Sequence, residues 1–98
     1  MSVEFYERGS TIPIWSFNTQ DGAATSPSEG VKVTITDSAG TEQVTSTAMT
    51  EDETGDFVYY YTTTSSSAVG TWYYSCLSQD GTGATAKYLK KSGSFIVR

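Results

Sequence analysis

The side chains of this chain that have the types to do chemistry fall into a few clusters. Glu51, Asp52, Glu53 and Asp56 crowd one short stretch around Gly55. With Asp21 or Asp80 from other loops they offer the carboxylate oxygens that calcium takes. Their spacing is not that of a helix-loop-helix calcium loop, and an isolated acidic turn ordinarily does no more than hold water. The expectation is therefore no cofactor, with calcium as the one exception weighed and set aside. Lys87, Lys90 and Lys91 form a second cluster in a segment expected to be a loop at the same pole, where mutual screening with the acids is the plain reading. Cys76 stands alone, without a basic neighbour in sequence, and reads as a small inert hydrophobe rather than a nucleophile. Gly81-Thr82-Gly83 is too short for a phosphate cradle and lacks its lysine. The chain contains no histidine, which removes the commonest general base and metal ligand. No nucleophile sits with a base, so the expectation is a protein that is not an enzyme.

The elements that must position these groups are extended. Gly55-Asp56-Phe57-Val58-Tyr59-Tyr60-Tyr61 and Gly70-Thr71-Trp72-Tyr73-Tyr74-Ser75-Cys76 each open on a glycine turn. Each then places bulky residues at every second position, the period at which strand side chains alternate faces. Trp72, Tyr74 and Cys76 read as an inward stripe against Phe57, Tyr59, Tyr61, Val31, Val33 and Ile35. Tyr60 and Tyr73 then point outward. On adjacent strands they would form an aromatic patch that either pairs across the sheet or seats a partner.

Val31-Lys32-Val33-Thr34-Ile35-Thr36-Asp37 is the cleanest half-buried strand, and Asp37-Ser38-Ala39-Gly40 turns the chain. Residues 41–49 return as a Thr-rich strand, 50–56 read as an acidic turn, and Gly93 to Arg98 close the fold. Ile12-Pro13-Ile14-Trp15-Ser16-Phe17 reads as a first strand at a sheet edge, because Pro13 cannot donate to a ladder. Its apolar residues shift phase between 14 and 15, which predicts a bulge or a strand that switches sheets. Residues 19–30 and 80–92 read as loops. About seven short strands with turns between them predict one all-β domain over residues 1–98, an antiparallel Greek-key sandwich of the immunoglobulin-like kind. Residues 1–10 are read as a possible flexible arm carrying Phe5 and Tyr6.

Charge narrows the partners. Residues 1–56 carry ten acids and two bases, and residues 57–98 one acid and four bases, giving a net −5. Six basic residues in all argue against neutralising a nucleic-acid backbone. No apolar run approaches the roughly 20 residues that span a bilayer, and the acidic N-terminus does not read as an export signal. One cysteine excludes an internal disulfide, so the core must hold without a staple.

The run of Val31 to Asp37, Ala39-Gly40, Thr54-Gly55-Asp56-Phe57-Val58-Tyr59-Tyr60-Tyr61, Gly70-Thr71-Trp72-Tyr73-Tyr74, Asp80-Gly81 and Gly93-Ser94-Phe95-Ile96-Val97 resembles immunoglobulin-like and macroglobulin-like domains. Such domains occur in bacterial surface proteins and among small structural proteins of tailed bacteriophages. The resemblance implies the sandwich and carries no functional residue with it. With no catalytic set in view, the expected function is a small virion component of a tailed phage, assembled in the host cytoplasm. It would decorate the head, join head to tail or sit on the tail, contacting other subunits or itself. The alternative is a carbohydrate- or protein-binding module of a bacterial cell-surface adhesin. Candidate contact residues are Tyr60, Tyr73, Asp21, Glu51, Asp52, Glu53, Tyr88, Lys90 and Lys91.

Overall fold

The structure, a computed structural model, describes residues 4–98. Its strands are β1 (Phe5–Tyr6), β2 (Thr11–Phe17), β3 (Thr19–Gln20), β4 (Ala23–Ala24), β5 (Val31–Thr36), β6 (Glu42–Ala48), β7 (Thr50–Glu53), β8 (Asp56–Thr62), β9 (Gly70–Asp80) and β10 (Lys87–Val97), with a single 3-10 turn at Gly83–Thr85. One sheet has the order β1-β10-β9-β5-β6, a second β2-β8-β7, and β3 and β4 form a separate hairpin. All pairings are antiparallel except that of β1 with β10.

The two larger sheets close on one core. Period-two alternation sends Val31, Val33 and Ile35 of β5 inward, to meet Trp72 and Cys76 of β9 and Phe95 and Val97 of β10. From the facing sheet come Ile12, Ile14 and Phe57, with Tyr59 and Tyr61 partly buried against them. Trp72 sits at the centre, with ring centroids 5.8 Å from both Tyr61 and Phe95, and its indole N–H donates to the Ala68 carbonyl at 2.9 Å. That bond removes the cost of burying the one polar atom of the largest core side chain.

Several elements differ from expectation, each for a visible reason. The two aromatic runs are not neighbours, because β8 and β9 belong to different sheets. In β2 there is no phase change: Ile12, Ile14 and Ser16 are buried, Trp15 and Phe17 point outward, and the register against β8 is unbroken from Thr11↔Thr62 to Phe17↔Asp56. The polar inward position at Ser16 is tolerated because Asn18 follows it inward. The Asn18 amide donates to the carbonyls of Ser16 and Gly55, and its oxygen accepts from the Ser78 hydroxyl at 2.5 Å. Among the described residues no buried side-chain nitrogen or oxygen lacks a hydrogen-bond partner.

The acidic stretch is partly strand, since Thr50 and Glu51 pair with Val58 and Phe57. The supposed loop 80–92 is mostly strand too: β10 begins at Lys87 and matches β9 residue for residue from Lys87↔Asp80 to Val97↔Gly70. Residues 87–92 show no apolar alternation because all are exposed, so the ladder alone holds them extended. Within 19–30 a tight hairpin turns at Asp21-Gly22, both at positive φ (52° and 82°), as a two-residue turn of matching twist requires. Residues 4–8 are docked rather than free, with Ile96 N–H donating to Glu4, Arg98 N–H to Tyr6 and Arg8 N–H to Arg98. Gly9 and Ser10 of the expected arm are tied to Thr63, Gly9 N–H donating to its hydroxyl and Ser10 accepting from its N–H, and residues 1–3 lie outside the described residues.

Replacing Trp72 with alanine is expected to lower the unfolding free energy by about 3–5 kcal/mol, read from urea denaturation. A loss well under 1 kcal/mol would mean that the indole is not the centre of the core.

Candidate interaction surface

The carboxylates do not converge. Among the described residues no group of three or more Asp, Glu, Cys or His side chains is placed to hold a metal ion. Asp21 is exposed at the tip of the β3–β4 hairpin, and Asp52 and Glu53 are exposed on β7. Glu51 accepts from the Ser26 hydroxyl and from Gly55 N–H, and Asp80 accepts from Ser28 N–H at 2.9 Å. These two carboxylates pin loops together. Gly55 is buried at φ +82°, and a Cβ there would lie 2.6 Å from the Asn18 carbonyl, so the turn admits no larger residue. Asp37, buried at the opposite end of the fold, ties its turn by accepting from Ala39, Thr41 and the Gln43 amide. The Lys cluster lies away from the acids, since β10 and β7 sit at opposite edges of the layers; only Asp80 faces a lysine in register, Lys87.

Tyr60 and Tyr73, expected side by side, point from opposite outer faces of the molecule, because their strands belong to different sheets. Tyr60 nevertheless has aromatic company. On the outer face of the small sheet it is the register partner of Pro13, beside Trp15 and Phe17, whose rings stack with centroids 5.7 Å apart and planes 4° apart. Tyr60 is 62% exposed, Phe17 56% and Trp15 36%, while Val58, the register partner of Trp15, is buried. A depression of about 410 Å³ beside Tyr60 is lined by Thr50, Glu51, Asp52 and Val58. Trp15 and Phe17 are absent from the candidates named from sequence, where the phase change between 14 and 15 predicts a bulge or a sheet switch. The available signal was Pro13: it fixes β2 at an edge, and strict alternation from Ile12 and Ile14 leaves 15 and 17 outside.

Tyr73 stands on the outer face of the five-stranded sheet, between its register partners Thr36 and Ser94. Next to it a shallow depression of about 250 Å³ is bordered by Thr34, Ser75, Ser92 and Lys90. Tyr88 and Lys90 continue this face along β10, both exposed. Lys91 turns the other way, and its ammonium donates to the Phe17 carbonyl across the gap between the two sheets.

That gap opens beyond Lys91 into a groove of about 240 Å³ between β10 and β2, lined by Tyr6, Trp15, Phe17, Tyr74 and Ser94. Its shape depends on Gly93. The Tyr74 ring lies across that glycine so closely that a Cβ would sit 2.3 Å from the phenolic oxygen. The Tyr6 hydroxyl donates to Glu4 at 2.7 Å, and burial, with that carboxylate beside it, pushes its pKa up to about 12. Cys76 lies fully buried, and burial pushes its thiol up to about 11, so it presents no thiolate near neutral pH.

No protein-family pattern, characterised protein or solved structure matches the chain.

Hydrogen bonds from Thr41, Gln43, Ala39 and Gly40 hold the Asp37 carboxyl below its usual value, and those from Ser26 and Gly55 do the same for Glu51. Both groups bind a proton less tightly folded than unfolded. They stabilise the fold above the ordinary carboxylate range, and that contribution is lost as pH falls through their lowered folded-state values. Urea midpoints are therefore expected to drop from about pH 5 downward. Asp37→Asn should start lower and fall less steeply; an unchanged slope would show that Asp37 does not contribute.

Proposed function

We propose that this chain is a non-enzymatic assembly protein that docks on neighbouring protein subunits, as a small virion component of a tailed phage would. On this reading its layers are an immunoglobulin-like Greek-key sandwich. The chain crosses between the two larger sheets after β1, after β2 by way of the β3–β4 hairpin, after β6 and after β8, and β5 pairs with the distant β9 as well as with β6, which supports a Greek key. The observation that carries the function is the outward trio Trp15, Phe17 and Tyr60 around Pro13. Rings left in water on one sheet face favour a protein partner, since aromatics are enriched where proteins dock and scarce on isolated surfaces. The net charge of −5 agrees with a protein partner over a nucleic acid.

Its test is sedimentation from infected or producing cells. The chain is expected to travel with assembled particles, and Trp15→Ser combined with Tyr60→Ser should stay folded by circular dichroism yet remain in the supernatant. A wild-type chain that never leaves the soluble fraction, or a variant that sediments unchanged, would overturn the reading.

The second reading, a carbohydrate-binding module of a bacterial cell-surface protein, draws on Tyr73. A tyrosine beside a depression rimmed by Thr34, Thr36, Ser75 and Ser92 offers a stacking ring with hydroxyl partners. Binding to a glycan array that disappears in Tyr73→Ala would favour it over the first.

A further inference from the structure

Among the described residues, strand β10 is paired on both sides only at its end. From Lys87 to Val97 it matches β9, but on its other side β1 covers just Ile96 and Val97. The amides of Ile96 and Arg98 donate to β1, so in a strand of unbroken register the even-numbered residues aim their backbone groups at that side. Tyr88, Lys90, Ser92 and Ser94 therefore turn four N–H and four C=O groups away from β9, and no strand of the described residues takes them. An edge this long and this regular is unusual, because sheet edges are ordinarily shortened, bulged or covered. The opposite edge of the same sheet does carry such irregularities: β6 shifts register twice against β5 and holds Ser46 at a φ of 42°.

Two depressions run beneath the open edge, on the side that faces β2. One is the aromatic groove of Tyr6, Trp15, Phe17 and Tyr74; the other, about 180 Å³, lies under Leu89 and Tyr88 against Pro27 and Thr25. The Lys91 bridge to Phe17 separates them. A strand laid along β10 would send every second side chain inward over this line and the others outward past Lys90. The edge segment 87–94 carries Lys87, Lys90 and Lys91 and no acid. Two such edges brought together would oppose lysine to lysine, which disfavours a second copy meeting edge to edge.

We infer that the β10 edge is a receptor for an extended acidic segment of a different protein, with apolar residues alternating with Asp or Glu. The segment adds as a strand in line with β1, which already shows that this edge accepts one. Main-chain hydrogen bonds to Tyr88, Lys90, Ser92 and Ser94 supply the attachment, and the lysines and the two depressions supply the selection. This rests on the docking role proposed above and adds to the small-sheet face a second surface, the β10 edge, with the chemistry of its partner.

The test uses the whole chain, isotopically labelled, with three capped heptapeptides: alternating glutamate and valine, alternating lysine and valine, and the first with its central valine changed to proline. The glutamate peptide is expected to slow amide exchange at residues 88, 90, 92 and 94, about elevenfold when its free concentration is ten times its Kd. The lysine and proline peptides should not. Lys87→Glu combined with Lys90→Glu, which leaves the Lys91 bridge in place, should reverse the charge preference. Equal binding of both charge types, protection centred on Trp15 and Tyr60 instead, or no protection at millimolar peptide would overturn the inference. So would concentration-dependent protection of the same amides in the chain alone, which would make a second copy the occupant. Loss of particle association in cells with peptide binding intact would count against the phage role and leave the edge site standing.

Discussion

The governing constraint is a mismatch in area between two layers. At roughly 3.4 Å per residue, the seven-residue strands β2 and β8 reach about 24 Å, while the eleven-residue strands β9 and β10 reach about 37 Å. The smaller sheet cannot cover the larger. Ring packing around Trp72 fixes where the cover lies, over β9 as far as Cys76 and Ser78 but over β10 only at Phe95 and Val97. Residues 87–92 of β10 stand clear, and the molecule is long and narrow, 42 × 24 × 22 Å. The exposed state of Tyr88, Leu89 and Lys90 follows from that disproportion, and the open edge beside them from the brevity of β1, which pairs with Ile96 and Val97.

A sheet that is covered on one side still has an outside, and both outer faces here carry tyrosines. The difference between them is polarity. Around Tyr73 the neighbours are hydroxyls and a lysine, whereas Tyr60 has rings and a proline on its β2 side, with Thr50, Glu51 and Asp52 confined to its β7 side. Water competes well for the first set and poorly for the second, so the small sheet is the face on which an apolar contact gains most.

How much of this could be read from the residues alone depended on whether a strand has one wet face. Val31 to Thr36 was legible because it is half-buried along its whole length, and Trp72 and Cys76 were placed correctly for the same reason. The stretch 87–92 was not legible: exposed on both faces, it has no reason to alternate, and its extension comes from partners in β9 that composition cannot reveal. Trp15 and Phe17 misled in the opposite sense. Their apolar character suggested a phase change, yet β2 runs unbroken because the polar pair Ser16 and Asn18 could take the inward places once Gly55 and Ser78 satisfied them. The separation of Tyr60 from Tyr73 turned on a crossover between layers, which local pattern does not encode.

The Asn18 side chain links the end of β2, the Gly55 turn and β9, and its main-chain carbonyl receives Thr25 N–H from the segment after the β3–β4 hairpin. Four pieces of chain distant in sequence thus meet at one residue. Segments there are not independent appendages; they share a single hub, and drift in one is answerable to the geometry of the others. Only the hairpin tip at Asp21 and Gly22 lies outside that knot, which makes it the natural place for insertions to accumulate.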